Sequence, residues 1–219
     1  MNKIASALTG PGAREVLDHL LLGIADLNSG IAWLEERTGV KAILGGSHPG
    51  AGTRNALASL GNQQYIEIIS IDPAQQQVGI MAGLVKNLAA PRLIMWAAAT
   101  TDIAAISKKA QVAGYNIEGP NAGSRVKPDG GALNWKTLNI VNDFGCLIPF
   151  FIEWGAGIVH PSDDCPKGCA LQVLEMEHPE PDSAQKMLRE LGVEASVKRG
   201  GKPLLRAVLK TPNGIVELS

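Results

Sequence analysis

Residues 17–40, LDHLLLGIADLNSGIAWLEERTGV, pass from an apolar run into a helical stretch that stops at a glycine, and the segment they begin ends on Tyr65-Ile66-Glu67-Ile68. Residues 171–193, LQVLEMEHPEPDSAQKMLRELGV, repeat that course with Gly192 in the place of Gly39, and close on Ile215-Val216-Glu217-Leu218. Sliding one copy on the other sets His19 over Gln172 and Glu67 over Glu217. A repeated unit constrains architecture before any single motif does, because each copy must bury its apolar face against a neighbour.

Working outward, residues 16–23 read as a strand, and Asp26, with Asn28 and Ser29 behind it, suits a helix start. Ile31, Leu34 and Glu35 continue the helix and Gly39 supplies its left-handed end. A strand over 40–44, a glycine-rich connection over 45–52, and strands over 53–60 and 64–71 joined at Gly61-Asn62 complete a strand–helix–strand–strand–strand order. Residues 72–91 read as a connector, helical through 80–87. A second copy follows: a strand over 92–99, a helix capped by Thr101 or Asp102 and ended by Gly114, and a short strand at 115–118. A loop over 119–131 and strands over 132–141 and 146–154 complete it. A loop over 155–168 leads to the third copy. There Asp182 or Ser183 begins the helix, and strands run over 194–198, 204–210 and 214–218, the last two joined by the hairpin signal Pro212-Asn213-Gly214. The expected units are 14–72, 91–155 and 169–219, packed as one α+β domain.

Bulk properties exclude more than they select. With 219 residues, 20 basic and 21 acidic side chains and a net charge of −1, the chain can bury a core but carries no electrostatic footprint for nucleic acid or an anionic membrane. The first sixteen residues lack the apolar core of a signal peptide, and the greasiest run, 93–99, is too short to span a bilayer. A cytoplasmic protein is expected. Three cysteines do not suit a disulfide framework. Cys165-Pro-Lys-Gly-Cys169 has zinc-ligand spacing, but His160 and His178 do not supply the second tight pair that structural zinc sites use. Gly45, Gly46, Gly50 and Gly52 lack the order of a phosphate loop and precede a strand.

Two titratable residues stand on apolar strands. His19 in LDHLLLG reads alone as a buried, hydrogen-bonded histidine. Glu67, flanked by Ile66 and Ile68, points to the opposite face from both. If that face is interior, its carboxylate needs a partner. Glu153 in Phe-Phe-Ile-Glu-Trp raises the same question, with a pocket or a salt bridge as the answers.

Repeated βαβββ units with a His on the first strand and a Glu on the last resemble the vicinal oxygen chelate superfamily. His48-Pro49-x-x-Gly52-Thr53-x-Asn55 followed by Tyr65-Ile66-Glu67 resembles its glyoxalase-like-domain group, as does Pro149-Phe-Phe-Ile-Glu-Trp154 followed by His160-Pro161. The resemblance implies a cupped, open β-barrel in which the first and fourth strands of a unit lie side by side. It also implies a divalent cation (Fe, Mn, Ni, Co or Zn) held by one residue from each of those strands. The implied pairs are His19 with Glu67, Met95 or Trp96 with Glu153, and Gln172 with Glu217. The metal set is then His19, Glu67 and Glu153, or Glu217 in its place if the third unit closes the cup, with Glu67 or Glu153 as catalytic base, and substrate contacts from His48, Asn55, Trp96, Arg125, Trp135 and His160. Arg125 would clamp a carboxylate. For these second-tier residues loop rigidity and core packing stand as the alternatives. The implied activity is a metal-dependent lyase, isomerase or dioxygenase acting on a small carbonyl- or hydroxyl-bearing metabolite. The alternative is a non-catalytic binding or sequestering protein that has lost its metal. An odd number of units leaves one to pair in a homodimer or to lie as an extra sheet.

Overall fold

The computed structural model describes residues 13–76, 79–126 and 130–219. Its first part runs α1 (Ala13–Val16), β1 (Leu17–Gly23), α2 (Leu27–Thr38), β2 (Ile43–His48), β3 (Thr53–Gly61) and β4 (Gln64–Ile71). A short α3 (Ile80–Val85) leads to β5 (Arg92–Ala99), α4 (Ile103–Val112), β6 (Ile117–Val126), β7 (Ala132–Ile140) and β8 (Phe150–Trp154). After α5 (Pro161–Asp164) come β9 (Ala170–His178), α6 (Pro181–Glu190), β10 (Val197–Arg199), β11 (Leu204–Thr211) and β12 (Gly214–Leu218).

Local chemistry sets the helix ends. Asp26 Oδ1 accepts from the Ser29 amide at 2.8 Å, and Gly39, at φ 74°, donates its amide to the Glu35 carbonyl. Asp102 caps α4 through the Ala105 amide. At α6 the expected Asp182 or Ser183 cap gives way to Pro181, whose missing N–H costs nothing in the first turn.

Eight strands form one curled sheet in the order β2-β3-β4-β1-β5-β8-β7-β6. The two halves, β2-β3-β4-β1 and β6-β7-β8-β5, have the same internal order and meet where β1 and β5 pair antiparallel. Within each half the first and last strands lie parallel and adjacent, β1 on β4 and β5 on β8. The edges also approach each other, because the Arg125 guanidinium on β6 donates to the Gly45 carbonyl on β2. The cup is thus completed within one chain by the first two units.

The third unit keeps the element order but not the pairing. Its sheet runs β10-β9-β11-β12, so β11 separates the first strand from the last. The expected pair Gln172 and Glu217 is therefore not adjacent. Gln172 is exposed, and Glu217 lies on the surface 3.8 Å from Arg206. This sheet covers the outer face of the cup: Leu171, Met176, Leu205 and Leu209 join Leu20, Leu22, Ile66 and Trp96 in one buried cluster.

Three boundaries depart from the sequence reading. Residues 119–126, expected as loop, extend β6 as an edge strand, where Pro120 is tolerated and a register shift falls between Glu118 and Asn121. Gly45 and Gly46 likewise belong to edge strand β2, with a shift between Leu44 and Gly46. Residues 146–149 precede β8 instead of forming it, as Leu147 and Ile148 both donate to the Asp143 carbonyl.

Candidate functional site

β1 is buried along its whole length, LDHLLLG, with a different destination for each face. Leu20 and Leu22 enter the outer core, while His19 and Leu21 face the interior of the cup. β4 does the same, sending Ile66 and Ile68 outward and Tyr65, Glu67 and Ile69 inward. The interior holds a cavity of about 330 Å³, within the range small-molecule sites occupy.

His19 stands at its floor. Its Nδ1 is hydrogen-bonded to Asp18 Oδ1 at 2.6 Å, and its Nε2 lies 3.3 Å from Glu67 Oε2. Facing a carboxylate at each nitrogen, the ring carries both protons and is an imidazolium. Burial alone would lower its pKa, but the bonds to Asp18 and then Glu67 outweigh it and raise the group to about 9. Burial would raise Glu67 in the same way; its bond to His19 prevails and holds the carboxyl at about 2. Asp18 lies well below the usual carboxylate range: against the cost of burial it has bonds with His160 and His19. Its Oδ2 also accepts from Trp154 Nε1 at 2.8 Å. The side chain reaches these partners because a register shift between Leu17 and His19 breaks the regular alternation of β1 against β5.

The Glu67 Oε1 atom accepts from Asn55 Nδ2 at 2.8 Å, and the same amide nitrogen lies 3.2 Å from His48 Nε2. His48 Nδ1 is 2.8 Å from Thr53 Oγ1. With Asn55 as donor, His48 is the neutral Nδ1–H tautomer, and burial lowers its pKa. Asn55 fixes the residue beside it as well: a Cβ on Gly45 would sit 2.3 Å from Asn55 Oδ1. Tyr65 stacks on the His19 ring at 4.6 Å, and burial pushes its phenol well above the usual value.

The second half supplies an aromatic wall. Trp135 and Trp154 meet edge to face at 5.6 Å, and Phe150 lies edge-on to His19 at 5.5 Å. The Trp135 indole lies flush over β6 because residue 123 is glycine; a Cβ there would fall 2.4 Å from its Nε1.

Register decides whether this lining suits the implied metal. His19 pairs with Ala97 across β1 and β5. In the parallel pairs His19 lies opposite Tyr65 and Ala97 opposite Phe150, so Glu67 in one half corresponds to Ile152 in the other. The four positions that correspond to the implied ligands are therefore His19, Glu67, Ala97 and Ile152, and the last two have no donor atoms. Among the described residues no group of three or more His, Cys, Asp or Glu side chains has the geometry to hold a metal ion. The residues present do not fit the implied metal centre.

Of the residues singled out in the sequence, His19, His48, Asn55, Glu67, Arg125 and Trp135 line the cavity. Three do not. Glu153, expected as ligand or base, sits one residue past inward-facing Ile152 and so on the opposite face. Its Oε2 accepts from the Ile103 amide at 2.8 Å at the start of α4, and Oε1 pairs with Lys136. Trp96 also faces outward, fully buried, and donates to the Leu147 carbonyl. His160 lies behind the cavity floor, 3.3 Å from Asp18 Oδ2 and bonded to Ser162 Oγ, so it positions Asp18 and lines nothing. Cys165 and Cys169 form no knuckle. Both are buried apolar fillers with thiols pushed up by burial, and His178 packs on Phe144. Sequence reasoning passed over Asp18 as a functional residue. Its signal was an acid next to a histidine inside an otherwise apolar strand.

The family model for the glyoxalase-like domain matches residues 17–192. No curated protein matches the chain in sequence. Among solved structures, a hypothetical protein from Staphylococcus aureus is similar over 93% of this chain and 98% of its own, with 16% identity and a TM-score of 0.67. Methylmalonyl-CoA epimerase from Mycobacterium tuberculosis is similar over 67% of this chain and 91% of its own, with 17% identity and a TM-score of 0.45. The first likeness concerns the fold alone, and the second is too distant to carry an argument. The family match spans both halves of the cup, and the chain belongs to the glyoxalase-like domain family of the vicinal oxygen chelate superfamily.

Proposed function

We propose that the cup binds a small carboxylate that also carries a carbonyl or hydroxyl oxygen, and that binding requires no metal. The observation that carries this reading is the unequal lining of one cavity. The first half presents a polar floor built on a buried imidazolium, and the second presents Ala97 and Ile152 where donors would stand, with Trp135 and Trp154 on its wall. The His19 cation compensates Asp18 and Glu67, the task a metal would otherwise perform between inward carboxylates. Arg125 brings a guanidinium to the wall for the ligand carboxylate. Asn55 Oδ1, buried without a partner among the described residues, is an acceptor for a hydroxyl at its second oxygen, and Trp135 and Trp154 offer ring faces to its planar part. The cup needs no second copy of the chain, so the expected homodimer forms no part of the proposal.

The test is thermal unfolding of metal-stripped protein against a panel of 2-oxo and 2-hydroxy carboxylates. A ligand at a hundred times its dissociation constant adds about 2.7 kcal/mol of stability. No shift with any member would sink the binding reading. Elemental analysis after incubation with Fe, Mn, Ni, Co and Zn tests the other half. Stoichiometric metal that is lost in both His19→Ala and Glu67→Ala would overturn metal independence. Ala97→His combined with Ile152→Glu supplies the missing donors and should bind metal under conditions in which the wild type takes up none.

A second reading, proton transfer next to the ligand carbonyl, rests on His48. It is neutral, buried and in the cavity, whereas Glu67, held at about 2, is too weak a base. Deuterium exchange from solvent into the ligand, abolished in His48→Gln, is the result that would establish it.

A further inference from the structure

The cavity above His19 has a neighbour that shares two of its lining residues. A second chamber of about 370 Å³ lies between α3 and the far ends of β5, β7 and β8, and Met81 and Phe150 line both spaces. The inward face of β7 runs through the two. Trp135 and Thr137 point into the first, and Asn139, with Val141 just beyond the strand, borders the second. From Trp135 to Val141 is about 20 Å along the chain. The second chamber is lined by Ile80, Met81, Leu84, Met95, Ile148 and Phe150. Two of its aliphatic side chains are left largely in water, Ile80 at 78% and Leu84 at 49% exposure, although they flank a recess. Apolar surface of this kind at the mouth of a cavity marks a place where something apolar is covered. The lining also includes the carboxyl side chains of Glu118 and Asp143.

We infer that the ligand is amphiphilic, with its carboxylate head in the first cavity and an unbranched hydrocarbon tail passing between Met81 and Phe150 into the second chamber. This inference rests on the small-carboxylate reading of the first cavity. Methionine suits such a passage, since its unbranched, polarisable side chain fills irregular space and adapts to chains of different length. Polarity fixes the direction of the ligand. The first cavity holds Arg125, His48 and Asn55 for a charged head, whereas the lining of the second includes acids that disfavour a carboxylate. A monocarboxylate is therefore preferred over a chain of equal length with a carboxylate at each end.

The experiment is isothermal titration of the full chain with straight-chain 2-oxocarboxylates of increasing length, together with one that carries a terminal second carboxylate. Affinity should rise three- to fourfold, about 0.8 kcal/mol, with each added methylene until the chamber is filled, and fall on adding the second carboxylate. In Leu84→Glu, a surface change remote from the cavity floor, the dependence on length should vanish while the shortest member binds as in the wild type. In His48→Ala every member should weaken by a similar factor, leaving the dependence on length intact. Short members that bind with no gain on lengthening would overturn the tail site and leave the first cavity's reading standing. No binding by any member would overturn both.

Discussion

The two halves of the cup share strand order and pairing, yet their inward faces have opposite character. One carries His19, Tyr65 and Glu67, and the other carries Ala97, Phe150 and Ile152 at the corresponding positions. In the first half a histidine holds two carboxylates in a buried charged set; in the second the same backbone positions are filled by hydrocarbon. The difference shows that the backbone of a half-cup does not demand polar residues at these positions, since Ala97 and Ile152 occupy them with full burial. The polar set in the first half is thus not imposed by the fold, and its burial carries a cost that hydrocarbon at the same positions avoids.

Making the first half resemble the second is the strongest way to break this contrast. His19→Ala leaves Asp18 and Glu67 buried near each other without their shared cation, and Glu67→Ile leaves the imidazolium with one carboxylate. Each single change should cost about 3–5 kcal/mol in denaturant unfolding. The double variant, a copy of the second half, should cost clearly less than the sum of the two. Additive losses would show that the three groups are not one unit.

The pH dependence of stability sharpens the same point with a smaller effect. The His19 group is raised from 6.5 to about 9, so its contribution is fully present below pH 6.5 and is lost as pH rises through about 9. The Glu67 group is lowered from 4.5 to about 2, so its contribution is present above pH 4.5 and is lost as pH falls through about 2. The denaturation midpoint should therefore be flat between these limits and fall outside them. His19→Gln should remove the alkaline fall, and an alkaline fall that survives in this variant would assign it to another group.

The smallest effect belongs to the acid that lies outside the site. Glu153→Gln weakens the cap on α4 and the surface pair with Lys136, and should cost about 0.5–1 kcal/mol with ligand binding unchanged. A loss of binding would return Glu153 to the cavity.

How far the site could be read depends on the residue. His19 and Glu67 were legible because each is a titratable group on an apolar strand, and the parity of Glu67 against Ile66 and Ile68 put it on a face of its own. The same parity misplaced Glu153. Aligning acid with acid slipped β8 by one residue, which exchanges its two faces, and the true counterpart of Glu67 is apolar and gave no signal. Asp18 was hidden by a register shift, since regular alternation would turn it away from its neighbour. The edge strands were hidden by their glycines, which read as loops; Gly45 is set by Asn55 on the adjacent strand and Gly123 by Trp135.

The sequence by itself determined the order of elements, the caps of α2 and α4, and the inward placing of His19 and Glu67, because these depend on neighbours within a few residues or on strand parity. Only the tertiary structure decided which two units share a sheet, that the third covers the outside, and that the cup has one polar and one aromatic half. Those outcomes depend on register between strands far apart in the chain, and a shift of a single residue there reverses which side chain faces the cavity.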